Sequence, residues 1–323
     1  MRADEPHPEV QAVLEQLAAL DALPLNQYGP RGARDIYEQF NADVEEPSVD
    51  RVHDRTVPGY DPDVGETRDD VPVRHYRPAG ASEAPFPTVV YFHGGGFVIG
   101  DLDSHDVVCR HVCAGAEVNV VAVDYRRAPE EPFPAAIEDA YAATDYVAAN
   151  PGEFDGDGQV AVMGDSAGGN LAAAVSLLAR DRDDGPAIDR QVLVYPAVDD
   201  TRQYESWDEN KEGYFLVAED MLWFSDCYFG SDIHRANPYA FPMAASSHAD
   251  LPPATVVTAG FDPLRDEGAA YADALREADV PVDHRNYDDV IHGFFSMLAP
   301  PADLERAHEA VDAVVGDLRA TFA

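Results

Sequence analysis

Lysine is almost absent from this chain: Lys211 is the only one in 323 residues. All 22 basic side chains together face 61 aspartates and glutamates, giving a formal net charge of −39. Nucleic acid and anionic membrane surfaces are thereby excluded as partners, because holding phosphate requires a basic face. The three cysteines, Cys109, Cys113 and Cys227, are too few and odd in number for a disulfide framework. His105, Cys109 and Cys113 fall at i, i+4 and i+8, one stripe of a helix. A single stripe gives poor tetrahedral geometry for zinc, so these residues read as core and no metal is expected. No uninterrupted apolar run approaches the roughly 18 residues of a membrane span. The opening MRADEPHPEV lacks the basic and apolar regions of a signal peptide, so a cytoplasmic location is expected. Internal repeats and low-complexity runs are also missing.

What is abundant is acid, spread from Asp4 to Asp317 rather than gathered in a tail. A dedicated basic partner is one explanation. The better one is general surface acidity of the kind seen in proteins of salt-loving microbes. Such charges repel in dilute buffer, whereas at about 1 M salt the Debye length falls to roughly 3 Å and the repulsion is screened. Stability and activity should therefore rise with salt.

Short β-rich runs alternate with helical patterns. The strand candidates are VPVRHYRP, TVVYFH, VNVVAVDY, QVAVMG, RQVLVYP, ATVVTAG and VPVDHRNY. From TVVYFH onward they are mostly apolar without clean alternation, as in strands covered on both faces. Helix-like stretches lie between them, at 104–116, 134–149, 167–179 and 263–278. This rhythm predicts an α/β fold with a mostly parallel central sheet flanked by helices. Two segments break it. Residues 1–50 read as helices, and 199–232 is rich in aromatics. Together they are expected to form a helical cap over a catalytic body spanning 51–323.

The strongest local signal is VAVMGDSAGGNLAAAVSLLA, in which Gly164-Asp165-Ser166-Ala167-Gly168 joins an apolar strand to an Ala/Leu-rich helix. That is the setting of a G-x-S-x-G nucleophile elbow, whose turn is too tight for side chains at the flanking glycines. A serine hydroxyl needs a base, and the base needs an orienting acid. In this architecture they follow in the order acid, then histidine. Asp262, directly after a strand, and His292, thirty positions later, fill those places. Asp262-Pro263 also reads as a helix start, a role compatible with the first. Asp266 and Asp288 are rival acids, the one inside a helix and the other too near His292 to orient it easily. The run VVYFHGGGFVIG abandons side chains at Gly94, Gly95 and Gly96. Consecutive glycines at a strand end allow the backbone to approach a ligand. On this reading the amides of Gly94 and Gly95, with that of Ala167, form an oxyanion hole. The third glycine and Phe97 shape the turn.

These motifs resemble the hormone-sensitive-lipase-like branch of the α/β-hydrolase esterases. HGGGF (93–97) and GDSAGG (164–169) match its two hallmark motifs. VDYRRAPEEPFPAAIED, DPLRDEG and HGF resemble its central, acid and base segments, and EGYFL and NPYAFPMAA its cap and post-cap patterns. The resemblance covers roughly residues 50–300 and implies carboxylic-ester hydrolysis through an acyl-enzyme, without a cofactor, on a small-molecule ester. Arg127 departs from the apolar residue usual there. Phe97, Asp165, Tyr214, Phe215 and Leu216 are candidate pocket residues, joined by Trp223 and Phe224, though the aromatics serve equally as cap core. An amidase or peptidase using the same triad is the alternative, and a binding protein on an inactive scaffold a more distant one. The oligomeric state is left open, a homodimer included.

Overall fold

The computed structural model describes residues 1–20, 23–38, 46–61, 66–79 and 85–323. Eight strands form the main sheet: β1 (Arg51–Asp61), β2 (Glu66–Arg77), β3 (Phe86–Phe92), β4 (Asn119–Val123), β5 (Gly156–Asp165), β6 (Arg190–Val194), β7 (Ala254–Phe261) and β8 (Val282–Ile291). Their spatial order is β1-β2-β4-β3-β5-β6-β7-β8. β2 is antiparallel to both neighbours, and the pairs from β4 to β8 are parallel. The apolar runs read from the sequence are the central strands, and successive side chains serve opposite faces. Val90, Phe92, Val162, Leu193 and Val256 enter one apolar cluster. Val89, Tyr91, Met163, Val192 and Val257 enter the other.

Helices α3 (Asp106–Ala116) and α9 (Glu305–Thr321) cover the second cluster, and α4 (Ala135–Ala149), α5 (Ala167–Asp181) and α8 (Arg265–Glu277) the first. Cys109 and Cys113 are fully buried on α3, as core residues. Two strand features were not legible. β1 is largely exposed and polar, with Val57 its buried apolar anchor, so it lacks an apolar run. β8 is longer than VPVDHRNY and runs to Ile291, delivering the chain directly to His292.

The two segments outside the strand–helix rhythm are helical. α1 (Pro8–Ala19) and α2 (Leu25–Tyr37) form the first pair, α2 kinked at Gly29-Pro30. α6 (Glu205–Asn210) and α7 (Ala218–Tyr228) form the other. Asn26 donates to Glu219 at 2.7 Å, joining the two segments. No helix among the described residues is long and apolar enough to cross a membrane.

Candidate active site

Ser166 sits between β5 and α5 with φ 55° and ψ −115°, backbone angles a serine adopts only under constraint. The flanking glycines supply the constraint. A Cβ on Gly164 would lie 2.3 Å from the Gly168 carbonyl, and one on Gly168 only 1.9 Å from the Phe92 oxygen. The elbow exists because two backbones touch where side chains would stand.

His292 directs Nε2 at the Ser166 Oγ, 2.9 Å away, and Nδ1 at Asp262 Oδ2, 2.8 Å away. Asp262 is fully buried and accepts the Leu264 N–H on Oδ1 at 2.8 Å, so it braces the turn before α8, whose cap is Leu264 rather than the expected Asp262, and faces the imidazole. The rival acids lie elsewhere. Asp266 receives the Ser206 N–H and the Arg265 guanidinium, while Asp288 is an exposed residue of β8.

A cavity of about 580 Å³ opens above Ser166. Gly95, Gly96, Phe97, Ala167 and His292 line it, with Tyr214, Phe215 and Leu216 from the aromatic segment. Gly94 is not on its wall. The Gly94 amide donates to Asp165 Oδ1 at 3.0 Å, and a Cβ there would meet Asp165 Oδ2 at 2.4 Å. Gly94 is therefore glycine to admit the Asp165 carboxylate, and its expected place as an oxyanion donor is corrected. Gly95, Gly96 and Ala167 do line the cavity, beside Ser166. Three consecutive glycines read alike in sequence. What distinguishes them is partners in space.

The rest of this loop is tied down. The Tyr125 hydroxyl donates to the His93 carbonyl at 2.7 Å, and Val98 and Ile99 return their amides to the Gly95 carbonyl. Phe97 O accepts from Ala128 N–H, and Val98 O from Arg34. Arg127, the departure noted above, donates to the Gly100 carbonyl. Burial lowers the pKa of His93 to about 3, and its Nδ1 donates to the Gly94 carbonyl at 2.8 Å.

Phe97 stacks on Tyr228 with ring centroids 3.8 Å apart, forming part of the cavity floor. Phe224 also lines the cavity, its ring so close that a Cβ on Gly96 would meet it at 2.3 Å. Trp223 does not line it and packs against the core instead. The aromatic segment thus divides between pocket and packing. Val13, Leu14, Leu17, Leu23 and Tyr28 also line the cavity; they come from the first segment expected to cap the body, although which of its residues would reach the cavity was not legible. Helical periodicity in the first forty residues marks an apolar face without saying what it covers.

This geometry belongs to a known class. The family model described as alpha/beta hydrolase fold matches residues 89–296, and the chain belongs to that family. Among curated proteins it is 40% identical over 304 residues to carboxylesterase NlhH of Mycobacterium tuberculosis, covering 91% of this chain and 92% of that one. It is 45% identical over 252 residues to carboxylic ester hydrolase LipN of the same organism, a match spanning 76% of this chain and 65% of LipN. Among solved structures, a thermostable esterase from Pseudomonas putida ECU1011 superimposes with a TM-score of 0.92 at 35% identity, covering 100% of this chain and 99% of that one. The chain is a hydrolase of the carboxylesterase kind.

Proposed function

We propose that the protein cleaves small-molecule carboxylic esters of short to medium acyl chain through an acyl-enzyme on Ser166. The observation that carries this reading is the unbroken chain of contacts Asp262–His292–Ser166 at the base of the cavity. His292 takes the Ser166 proton on Nε2 as Oγ attacks the ester carbonyl, and Asp262 holds the tautomer that leaves Nε2 free to do so. The carbonyl oxygen, now negative, is met by the amides of Gly95, Gly96 and Ala167. His292 returns the proton to the departing alcohol. Water, deprotonated by the same nitrogen, then attacks the acyl carbonyl and regenerates Ser166. The sequence needs no cofactor.

In this reading residues 1–50 and 199–232 form a cap that bounds the acyl chain. The mostly apolar wall from Val13 to Tyr28 and from Tyr214 to Phe224 suits an uncharged substrate. The excess of acid over base, 61 against 22, supports work in a strongly saline cytoplasm. The test is a panel of nitrophenyl esters of increasing acyl length, with matching anilides, on wild type and Ser166→Ala at low and molar salt. Ester turnover that fades with long chains, disappears in the variant and exceeds anilide turnover supports the proposal. Turnover retained by Ser166→Ala, or a preference for anilides, overturns it.

A further inference from the structure

The residue before the nucleophile has a carboxylate with no part in the steps above, yet it is enclosed by donors from three directions. Asp165 is 5% exposed. Its Oδ1 accepts the Tyr91 hydroxyl at 2.7 Å, the Gly94 N–H at 3.0 Å and lies 3.3 Å from His105 Nε2. Its Oδ2 is 3.4 Å from the same nitrogen. Burial pushes this carboxyl up, but His105 and the Tyr91 hydroxyl outweigh burial and hold it below the usual carboxylate range.

The hydrogens around His105 can be assigned from the network. The Ser104 hydroxyl donates its one hydrogen to the Asp101 carbonyl at 2.8 Å. Its oxygen is then an acceptor toward the Asp101 N–H at 2.9 Å and toward His105 Nδ1 at 2.8 Å. Nδ1 therefore carries a hydrogen. The other nitrogen faces a carboxylate and the Gly94 N–H, at 3.3 Å. The Gly94 N–H and the Asp165 carboxylate thus converge on the same edge of the imidazole. A buried imidazole–carboxylate contact results, made by the residue that precedes α3 and the residue beside the nucleophile.

Its position matters because of what Gly94 does there. Asp165 takes the first amide of the glycine run, so the next two, Gly95 and Gly96, are the ones left at the cavity. Asp165 is joined by a peptide bond to Ser166, so the nucleophile and the loop share one anchor. We infer that Asp165, paired with His105, is a positioning residue that registers the glycine loop against Ser166 and thereby aims the oxyanion amides. This rests on the serine-hydrolase reading above. It gives His105, which the sequence offered only as part of a core stripe, a role through Asp165 and Gly94.

The test compares Asp165→Ala, Asp165→Asn and His105→Gln with wild type, beside Ser166→Ala. Two readouts are used: kcat and KM on a nitrophenyl ester, and the rate at which a fluorophosphonate labels Ser166, which needs no knowledge of the substrate. A loop displaced by about 1 Å, or the loss of one oxyanion donor, slows turnover about 10²-fold. Asp165→Ala should lose that much in kcat and in labelling rate, with KM changed less than about threefold, because ground-state binding does not use the oxyanion amides. Asp165→Asn keeps an oxygen for Gly94 and Tyr91 and should recover part of the loss. His105→Gln, which leaves the carboxylate in place, should fall between wild type and Asp165→Ala. If Asp165→Ala does not fold, the ordering of the other two against wild type still decides. Folded variants with wild-type kcat and labelling rate overturn the inference while leaving Ser166→Ala inert. Turnover by Ser166→Ala would instead overturn the reading beneath it.

Discussion

Substituting Gly168 by alanine tests whether close backbone contact builds the elbow. The added methyl would lie 1.9 Å from the Phe92 oxygen and 2.7 Å from the His93 oxygen, where ordinary contacts begin at 3.4 Å. Both neighbours are backbone, so no side chain can swing aside, and the α5 N-terminus must retreat from the end of β3 by more than an ångström. Ala167 carries one proposed oxyanion amide on the retreating side, and the glycine loop begins at His93 on the other. Overpacking of this kind costs about 1–3 kcal/mol. A misplacement of that size at reacting groups costs about 10² in rate. Gly168→Ala should therefore melt several degrees lower in molar salt and lose about 10²-fold in kcat/KM on a nitrophenyl ester. A matched control is Gly316→Ala at an exposed position of α9, where the methyl meets nothing within 4 Å. That change should raise stability by about 0.5–1 kcal/mol with kinetics unchanged. A Gly168→Ala protein as stable and active as wild type would refute the steric account of the elbow.

Other consequences can be measured. Asp262→Asn should leave the fold intact and reduce kcat about 10⁴-fold, since the imidazole would then be held in the wrong tautomer; a loss below tenfold counts against Asp262 as the orienting acid. Glu267 is 3% exposed and accepts the amides of Val198 and Asp199; burial pushes its carboxyl well above the usual range despite those donors. The folded state thus holds a proton that the unfolded chain releases above the ordinary glutamate pKa, and the stability it contributes fades as pH rises toward the folded value. Glu267→Gln, which keeps the acceptor oxygen, should gain melting temperature relative to wild type as pH goes from about 5 to about 9; a constant difference would show that Glu267 ionises freely. Melting temperature and activity of the wild type should both climb with sodium chloride into the molar range, and equal stability in dilute buffer would remove the case for salt adaptation.

How much could be read in advance depended on whether a feature is local. The elbow was legible because Gly164, Ser166 and Gly168 act within five residues, between a strand and a helix whose periodicities change abruptly. That Asp262 and His292 meet Ser166 was legible from chain order, each standing at a strand end in a parallel sheet, where ligand-binding loops gather. That the Gly94 amide is taken up by a carboxylate was not legible, because its partner, Asp165, lies some seventy positions away. His105 was set aside with Cys109 and Cys113 because all three share one helical stripe, yet His105 stands at the helix start and turns toward Asp165 rather than into the core. β1 was hidden by its polar, exposed pattern, and nothing local marks which side chains of the expected cap segment, Val13 and Tyr28 among them, reach the cavity.

The most direct measurement is the mass of the protein after reaction with a slowly released acylating or phosphonylating ester, followed by peptide mapping. One adduct per chain, on the peptide carrying Ser166, with loss of activity in step and no adduct in Ser166→Ala, is the predicted result. Stoichiometric labelling of any other residue, or inactivation without an adduct on Ser166, would contradict the account.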